Sequence, residues 1–327
     1  MDYSNLIFST IILIIAGFLY SKLQIKIDTN EKQSDLDIIK KYFLYEQDYN
    51  YIGNLSSIKK PILWVHIDYK KNSRNWESFY SRSNNDINQD YLYLTIRSII
   101  DNCGDDFHIC LIDDNSFSKL LDNWNIDLSK ISEPNKNNLR NLAICKLLYT
   151  YGGIYLENSF IMFRSIKDIY TNIEKTGKMV VAEFKSNGSN NYTLSFQPCL
   201  KFIGCMKNCN EMYEIIKELE LLNNTDYTNN SIIECKISNF LFEKVHNNYV
   251  NYIDGKFIGT RDINNKEITL DLLCGSSFME LENLAYCLYI PRDDMEKRTN
   301  YNWFLKLSMN EVLSSNTNIG KYLLLSN

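Results

Sequence analysis

Residues 147–159 read Leu-Leu-Tyr-Thr-Tyr-Gly-Gly-Ile-Tyr-Leu-Glu-Asn-Ser, and this stretch decides the fold. Upstream of it, Leu139, Leu142, Ala143 and Leu147 recur at helical spacing, so an amphipathic helix is expected over 138–151. Gly152-Gly153 stands where a helix C-cap needs a residue free to take positive φ. The apolar run Ile154-Tyr155-Leu156 then reads as a strand. Helix, double glycine and strand in that order mark one step of an alternating α/β architecture.

The same alternation continues outward. Ile62-Leu-Trp-Val-His-Ile67 is a continuous apolar run, the pattern of a strand buried on both faces. Leu92, Ile96, Ile99, Ile100 and Cys103 form one helical stripe ending near Gly104. Residues 107–112 read as a second buried strand, followed by Asp113-Asp114-Asn115-Ser116 as a loop and helix N-cap. Further strands are expected over 178–184 and 199–206, with helices over 208–222 and 237–250. The pattern predicts a doubly wound, mainly parallel sheet flanked by helices, filling one domain from 61 to 327. In such a sheet Asp113 or Asp114 should converge with Glu157 at the C-terminal strand ends, where loops splay apart.

The N-terminus reads differently. Residues 3–21 carry no charge, and at ~1.5 Å per residue they reach about 29 Å, enough to cross a bilayer core. No small-residue cleavage site follows, so an uncleaved transmembrane signal-anchor is expected, with a stalk over 22–60. Lys22 and Lys26 follow the span while only Asp2 precedes it, which favours a cytosolic over a lumenal domain. Sequons at Asn54, Asn187, Asn191, Asn223 and Asn229 weigh little in a chain so rich in Asn. That richness, with abundant Ile, Lys and Tyr, is the bias of an AT-rich genome such as that of a protist or a large DNA virus.

Bulk composition narrows the function classes. With 45% hydrophobic and 23% charged residues, the 327-residue chain has ample material for a core. A net charge of −5 and a pI near 5.4 leave no basic surplus to neutralise phosphates, so no nucleic-acid partner is expected. Nine Cys without a Cys-x-x-Cys pair, and only three His, give no structural zinc pattern; the thiols read as small core hydrophobes. Cys205 and Cys209 sit at a spacing that would face them together on a helix. No dinucleotide fingerprint, Walker loop, Gly-x-Ser-x-Gly or His-Glu-x-x-His occurs.

The segment Leu147–Ser159 resembles the core motif of glycosyltransferases with a DXD sugar-binding region, and that of related capsular-polysaccharide synthesis proteins. Pro61-Ile-Leu-Trp-Val-His resembles their opening strand, and Ile112-Asp113-Asp114 the acidic end of their second strand. The resemblance is firm over roughly 135–165, loose over 61–130 and faint beyond 195. It implies a GT-A-like fold, a nucleotide-sugar donor, a glycan or protein acceptor, and Mn²⁺ or Mg²⁺ held by carboxylates against the donor diphosphate. It puts the metal pair at Glu157 and Ser159, with Asp114 as a further ligand. The family's helix Asp and Arg fall on Asn141 and Ile144, and its C-terminal His has no counterpart in Asn300-Tyr-Asn-Trp303.

The expected donor-site residues are therefore Asp113, Asp114, Arg140, Gly152, Gly153, Tyr155, Glu157 and Ser159. Asp293-Asp294 could supply carboxylates from the C-terminal part, and His66 could act as an acceptor-activating base. Without a full metal pair, Arg140, Arg292 or Arg298 would have to balance the diphosphate. Two functions follow. One is a membrane-anchored transferase moving a sugar from a nucleotide-sugar donor. The other is a catalytically inactive glycosyltransferase-fold protein with a scaffold role and protein partners, for example a virion or minor capsid-associated membrane protein.

Overall fold

The computed structural model describes residues 60–67, 89–133, 135–185, 196–225 and 230–326. The anchor expected over 3–21 lies outside the described residues, as does all of the stalk but Lys60. Among the described residues no helix is long and apolar enough to cross a membrane.

The domain is built on a six-stranded sheet. Its strands are β1 (Ile62–His66), β2 (His108–Ile112), β3 (Gly153–Glu157), β5 (Val180–Lys185), β6 (Phe196–Cys205) and β7 (Asn251–Ile253), in the order β2-β1-β3-β6-β5-β7. β1 pairs in parallel with both β2 and β3, and β5 pairs in parallel with β7. β6 is antiparallel to β3 and to β5, so it alone runs against the rest. The strands expected over 62–67, 107–112, 154–157 and 178–184 thus share one mainly parallel sheet. A separate ribbon pairs β4 (Phe160–Met162) with β8 (Cys287–Tyr289).

Why the strands read as unbroken apolar runs is visible in the core. Leu63, Val65, Ile109, Leu111, Ile154 and Leu156 pack on one side of the sheet with the helix α1 (Tyr91–Cys103). Trp64, Cys110, Ile112, Tyr155 and Ile203 pack on the other with α3 (Asn135–Tyr151) and α5 (Asn210–Asn223). Successive strand residues point to opposite faces, and both faces are covered, so both registers favour apolar residues. The expected stripe on α1 is buried throughout, and the helix stops at Gly104, whose N–H bonds the Ile100 carbonyl.

The double glycine is an architectural requirement. Gly152 (φ +74°) ends α3 with its N–H on the Leu148 carbonyl at 2.8 Å. Its own carbonyl accepts from the Trp64 indole N–H at 3.0 Å. Gly153 (φ +105°) passes so close to β1 that an added Cβ would lie 2.2 Å from the Ile62 carbonyl oxygen. Both glycines thus have a reason in the backbone itself. They stand at the start of β3, roughly 13 Å from its C-terminal end at ~3.3 Å per residue.

One smaller expectation changes and another holds. Cys205 closes β6 and Cys209 precedes α5, so the pair does not share a helix. The loop 113–116 does cap the short helix α2 (Ser116–Leu120) as expected, through Asp113, whose Oδ1 accepts from the first helix amide at 2.9 Å.

Candidate functional site

The C-terminal ends of β1 and β3 lie side by side, with His66 in register with Glu157. Beside them β6 runs in the opposite direction: Phe202 pairs with Leu156, so the preceding residue, Lys201, comes next to Glu157. The chain passes from β1 to β2 on one side and to β3 on the other, and a switch of strand order of this kind leaves an open crevice beyond the strand ends. A cleft of about 1320 Å³, counted to its open mouth, occupies it. The N-terminal half of α3 forms one wall, α6 (Asn230–His246) another, and β8 with α9 (Arg292–Lys297) closes the far side.

Two charge clusters organise the cleft. In the first, Arg140 grips Asp114 with both arms, Nε to Oδ1 at 2.6 Å and Nη2 to Oδ2 at 2.8 Å. His66 Nε2 lies 3.0 Å from the same Oδ1, and Lys136 Nζ lies 3.3 Å from Oδ2. Burial works against ionising Asp114, but the hydrogen bonds from Arg140 and His66 outweigh it and hold the carboxyl far below the usual carboxylate range. The bidentate guanidinium geometry is what makes this pair strong.

The second cluster centres on Lys201. Its ammonium donates to Tyr289 Oη at 2.7 Å and Asp293 Oδ2 at 3.0 Å, and lies 3.4 Å from Glu157 Oε2. The Tyr289 hydroxyl in turn donates to Glu157 Oε2 at 3.3 Å. Burial opposes the charge on Lys201, but the surrounding Glu157, Tyr289 and Asp293 overcome it and push its pKa well above the ordinary value. Lys201 is the main cause that lowers Asp293, to about 2. Glu157 is pushed upward because burial outweighs the attraction of Lys201.

Between these clusters lie polar side chains with nothing to bond. Asn138 and Asn158 line the cleft, each 2% exposed. Among the described residues, Asn138 Oδ1 and both amide atoms of Asn158 have no hydrogen-bond partner. A buried amide without a partner costs about 1–3 kcal/mol, so such groups call for an explanation.

The sequence candidates separate accordingly. Arg140, Tyr155 and Glu157 line the cleft, and Asp114 is tied to it through Arg140 and His66. Asp293 and Asp294 line it from the first turn of α9. Arg292 also reaches it, with Nε on Glu296 at 2.9 Å, whereas Arg298 is not among the lining residues. Asp113 turns away to bond the amide and hydroxyl of Ser116. Ser159 is fully buried outside the lining; its carbonyl accepts from the Ile290 amide at 3.0 Å. Sequence reasoning missed Lys201. Its signal was a lone cation inside the buried strand Cys199-Leu-Lys-Phe-Ile203, which has to be paired.

Of the expected metal pair, Glu157 lines the cleft and Ser159 does not. Ser159 cannot reach the cleft from its buried position, and the oxygens of Glu157 and Asp293 already face an ammonium. Among the described residues no group of three or more His, Cys, Asp or Glu side chains is placed to hold a metal ion.

No family model matches the chain, and no curated protein matches it. Among solved structures, a chain named PaToxG Glycosyltransferase aligns over 67% of this chain and 80% of its own, at 12% identity and a TM-score of 0.34. A likeness that faint carries no weight for fold or function.

Proposed function

We propose that this chain is a membrane-anchored glycosyltransferase-like protein that takes a nucleotide sugar into the cleft beyond β1, β3 and β6. The observation that carries this reading is the buried, unpartnered amide of Asn158 and the unpartnered Oδ1 of Asn138, in a cleft that also holds Arg140, Lys201 and Arg292. Sugar hydroxyls are donors and acceptors at once and satisfy orphaned amides, while guanidinium and ammonium groups suit a diphosphate. The mainly parallel α/β sheet is consistent with a GT-A-like fold, and the motif ending in Glu157 resembles that of DXD glycosyltransferases. In the transfer this implies, the bond between the sugar's anomeric carbon and the diphosphate oxygen breaks. The electron pair leaves with the nucleoside diphosphate, and an acceptor hydroxyl forms the new bond as it loses its proton. Preorganised cations lower the barrier by meeting the charge that develops on the leaving group.

The anchor proposed for residues 3–21 would hold the domain at a membrane, on the cytosolic side by its flanking Lys residues. Calorimetric titration of the full-length chain with UDP- and GDP-sugars tests the reading. Saturable binding of one of them is expected, and failure of every nucleotide sugar to bind removes it.

One observation favours a second reading, a glycosyltransferase-fold protein that binds partners without catalysis. The cations at the cleft are already matched by the chain's own carboxylates: Arg140 by Asp114, Lys201 by Asp293, Arg292 by Glu296 and Lys185 by Glu267. A diphosphate must compete with these pairs. Binding without turnover on any glycan or protein acceptor would select this reading.

A further inference from the structure

We infer that Lys201 stands in for the divalent cation, so that the cleft handles a nucleoside-diphosphate ligand without Mg²⁺ or Mn²⁺. This rests on the nucleotide-sugar reading for its ligand, but the case for Lys201 comes from its own surroundings.

An ammonium has three N–H donors, and three oxygens surround this one: Glu157 Oε2 at 3.4 Å, Asp293 Oδ2 at 3.0 Å and Tyr289 Oη at 2.7 Å. They come from the end of β3 and, far along the chain, from β8 and the start of α9, which follow one another in sequence. Glu157 and Asp293 are the carboxylates a divalent ion would need to share, since such ions bind through anionic oxygens from more than one ligand. Lys201 already sits between them. A metal on the same oxygens would be pressed against a fixed positive charge, and like charges at contact distance repel. Ser159 supplies no replacement ligand there, because its side chain is fully buried and outside the lining of the cleft.

The ammonium is also held in place. Tyr289 bonds both Lys201 and Glu157, and its ring lies 5.3 Å from the Lys201 nitrogen. The strand supports the same position, because the pairing of Phe202 with Leu156 fixes Lys201 beside Glu157. All three donors are taken, so a diphosphate oxygen reaches Lys201 by displacing one of these oxygens, and Asp293, with its side chain 43% exposed, is the one that can turn out to solvent.

The experiment uses the full-length chain and two probes, Mn²⁺ alone followed by electron paramagnetic resonance, and UDP- or GDP-sugar followed by calorimetry. The wild type should leave the free Mn²⁺ signal unchanged. Its nucleotide-sugar affinity should agree within about twofold between EDTA and Mn²⁺. Lys201→Ala frees Glu157 and Asp293, and it should gain a Mn²⁺ site that disappears again in Lys201→Ala/Glu157→Gln. In EDTA this variant should lose nucleotide-sugar affinity by about tenfold or more, and Mn²⁺ should restore it. Lys201→Arg keeps the charge and should stay blind to Mn²⁺, which preserves the comparison if the Ala variant does not fold. Nucleotide-sugar binding that appears only with Mn²⁺ would overturn the inference while leaving the proposed function standing. Absence of binding under every condition would instead defeat the proposed function. In that case the Mn²⁺ arm still decides, because uptake by the wild type that Glu157→Gln abolishes refutes the role given to Lys201.

Discussion

Replacing Arg140 by Ala removes both hydrogen bonds to Asp114 and leaves a carboxylate that is only 21% exposed. Each charge-assisted bond is worth about 1.5–3 kcal/mol net, giving an upper range of ~3–6 kcal/mol for the two. His66 and Lys136 remain beside Asp114 and recover part of this, as does its residual contact with water. A destabilisation of about 3 kcal/mol is expected, at the lower end of what stranding one partner of a buried pair costs. At roughly 2–3 °C per kcal/mol for a domain of this size, Tm should fall by about 6–9 °C. The pH dependence supplies a second reading. Asp114 has a folded pKa below its unfolded value, so its contribution is present above the unfolded pKa near ~3.9 and is lost as pH falls further. The gap between wild type and Arg140→Ala should therefore be full at neutral pH and narrow below about pH 4. Urea unfolding across that range measures it, with an Asp114→Ala cycle to isolate the pair. Additive single effects in the cycle, or a gap that stays constant into acid, would refute the coupling.

Other changes follow from the same geometry. Asn158→Ala removes an amide with no partner, so stability should hold or rise by up to about 1 kcal/mol, while nucleotide-sugar affinity drops about tenfold. Marked destabilisation with unchanged affinity would show that Asn158 serves the fold. Gly153→Ala forces a Cβ to within 2.2 Å of the Ile62 oxygen at φ +105°, and should cost about 3–5 kcal/mol in chemical denaturation. A cost below about 1 kcal/mol would mean that β1 and β3 can separate freely. Trp64→Phe strips the Gly152 carbonyl of its buried donor and should cost about 1–3 kcal/mol, read from the same assay.

Much of the scaffold could be read from residue order, because both faces of the sheet are covered and each strand is forced into an unbroken apolar run. Ile62 to His66 and Ile109 to Ile112 announce themselves for that reason. The stripe on α1 was legible because its buried positions keep a period of 3.6. The site was harder to read, since its groups lie far apart in the chain. Glu157 and Lys201 meet because β6 runs antiparallel beside β3, and nothing local in Leu-Glu-Asn or Cys-Leu-Lys encodes that. Gly152 and Gly153 could be read in part. Their positive φ was legible as a helix stop, but the close approach to Ile62 and Lys207 comes from strands and turns distant in sequence. Ser159 stands two residues past Glu157, which suggested one face, yet the chain turns between β3 and β4 and carries it into the core. Arg140 was assigned to a phosphate, and its nearest partner is Asp114, because a buried guanidinium takes the carboxylate that the fold brings to it.

The most direct test of the cleft as a nucleotide-sugar site is hydrogen exchange on the full-length chain with and without saturating UDP- or GDP-sugar. Protection should concentrate at the end of β3 around Glu157 and Asn158, on β6 around Lys201, and on the first turn of α9 around Asp293. Protection confined to other surfaces, or none at ligand levels that saturate binding, would contradict the assignment of this cleft.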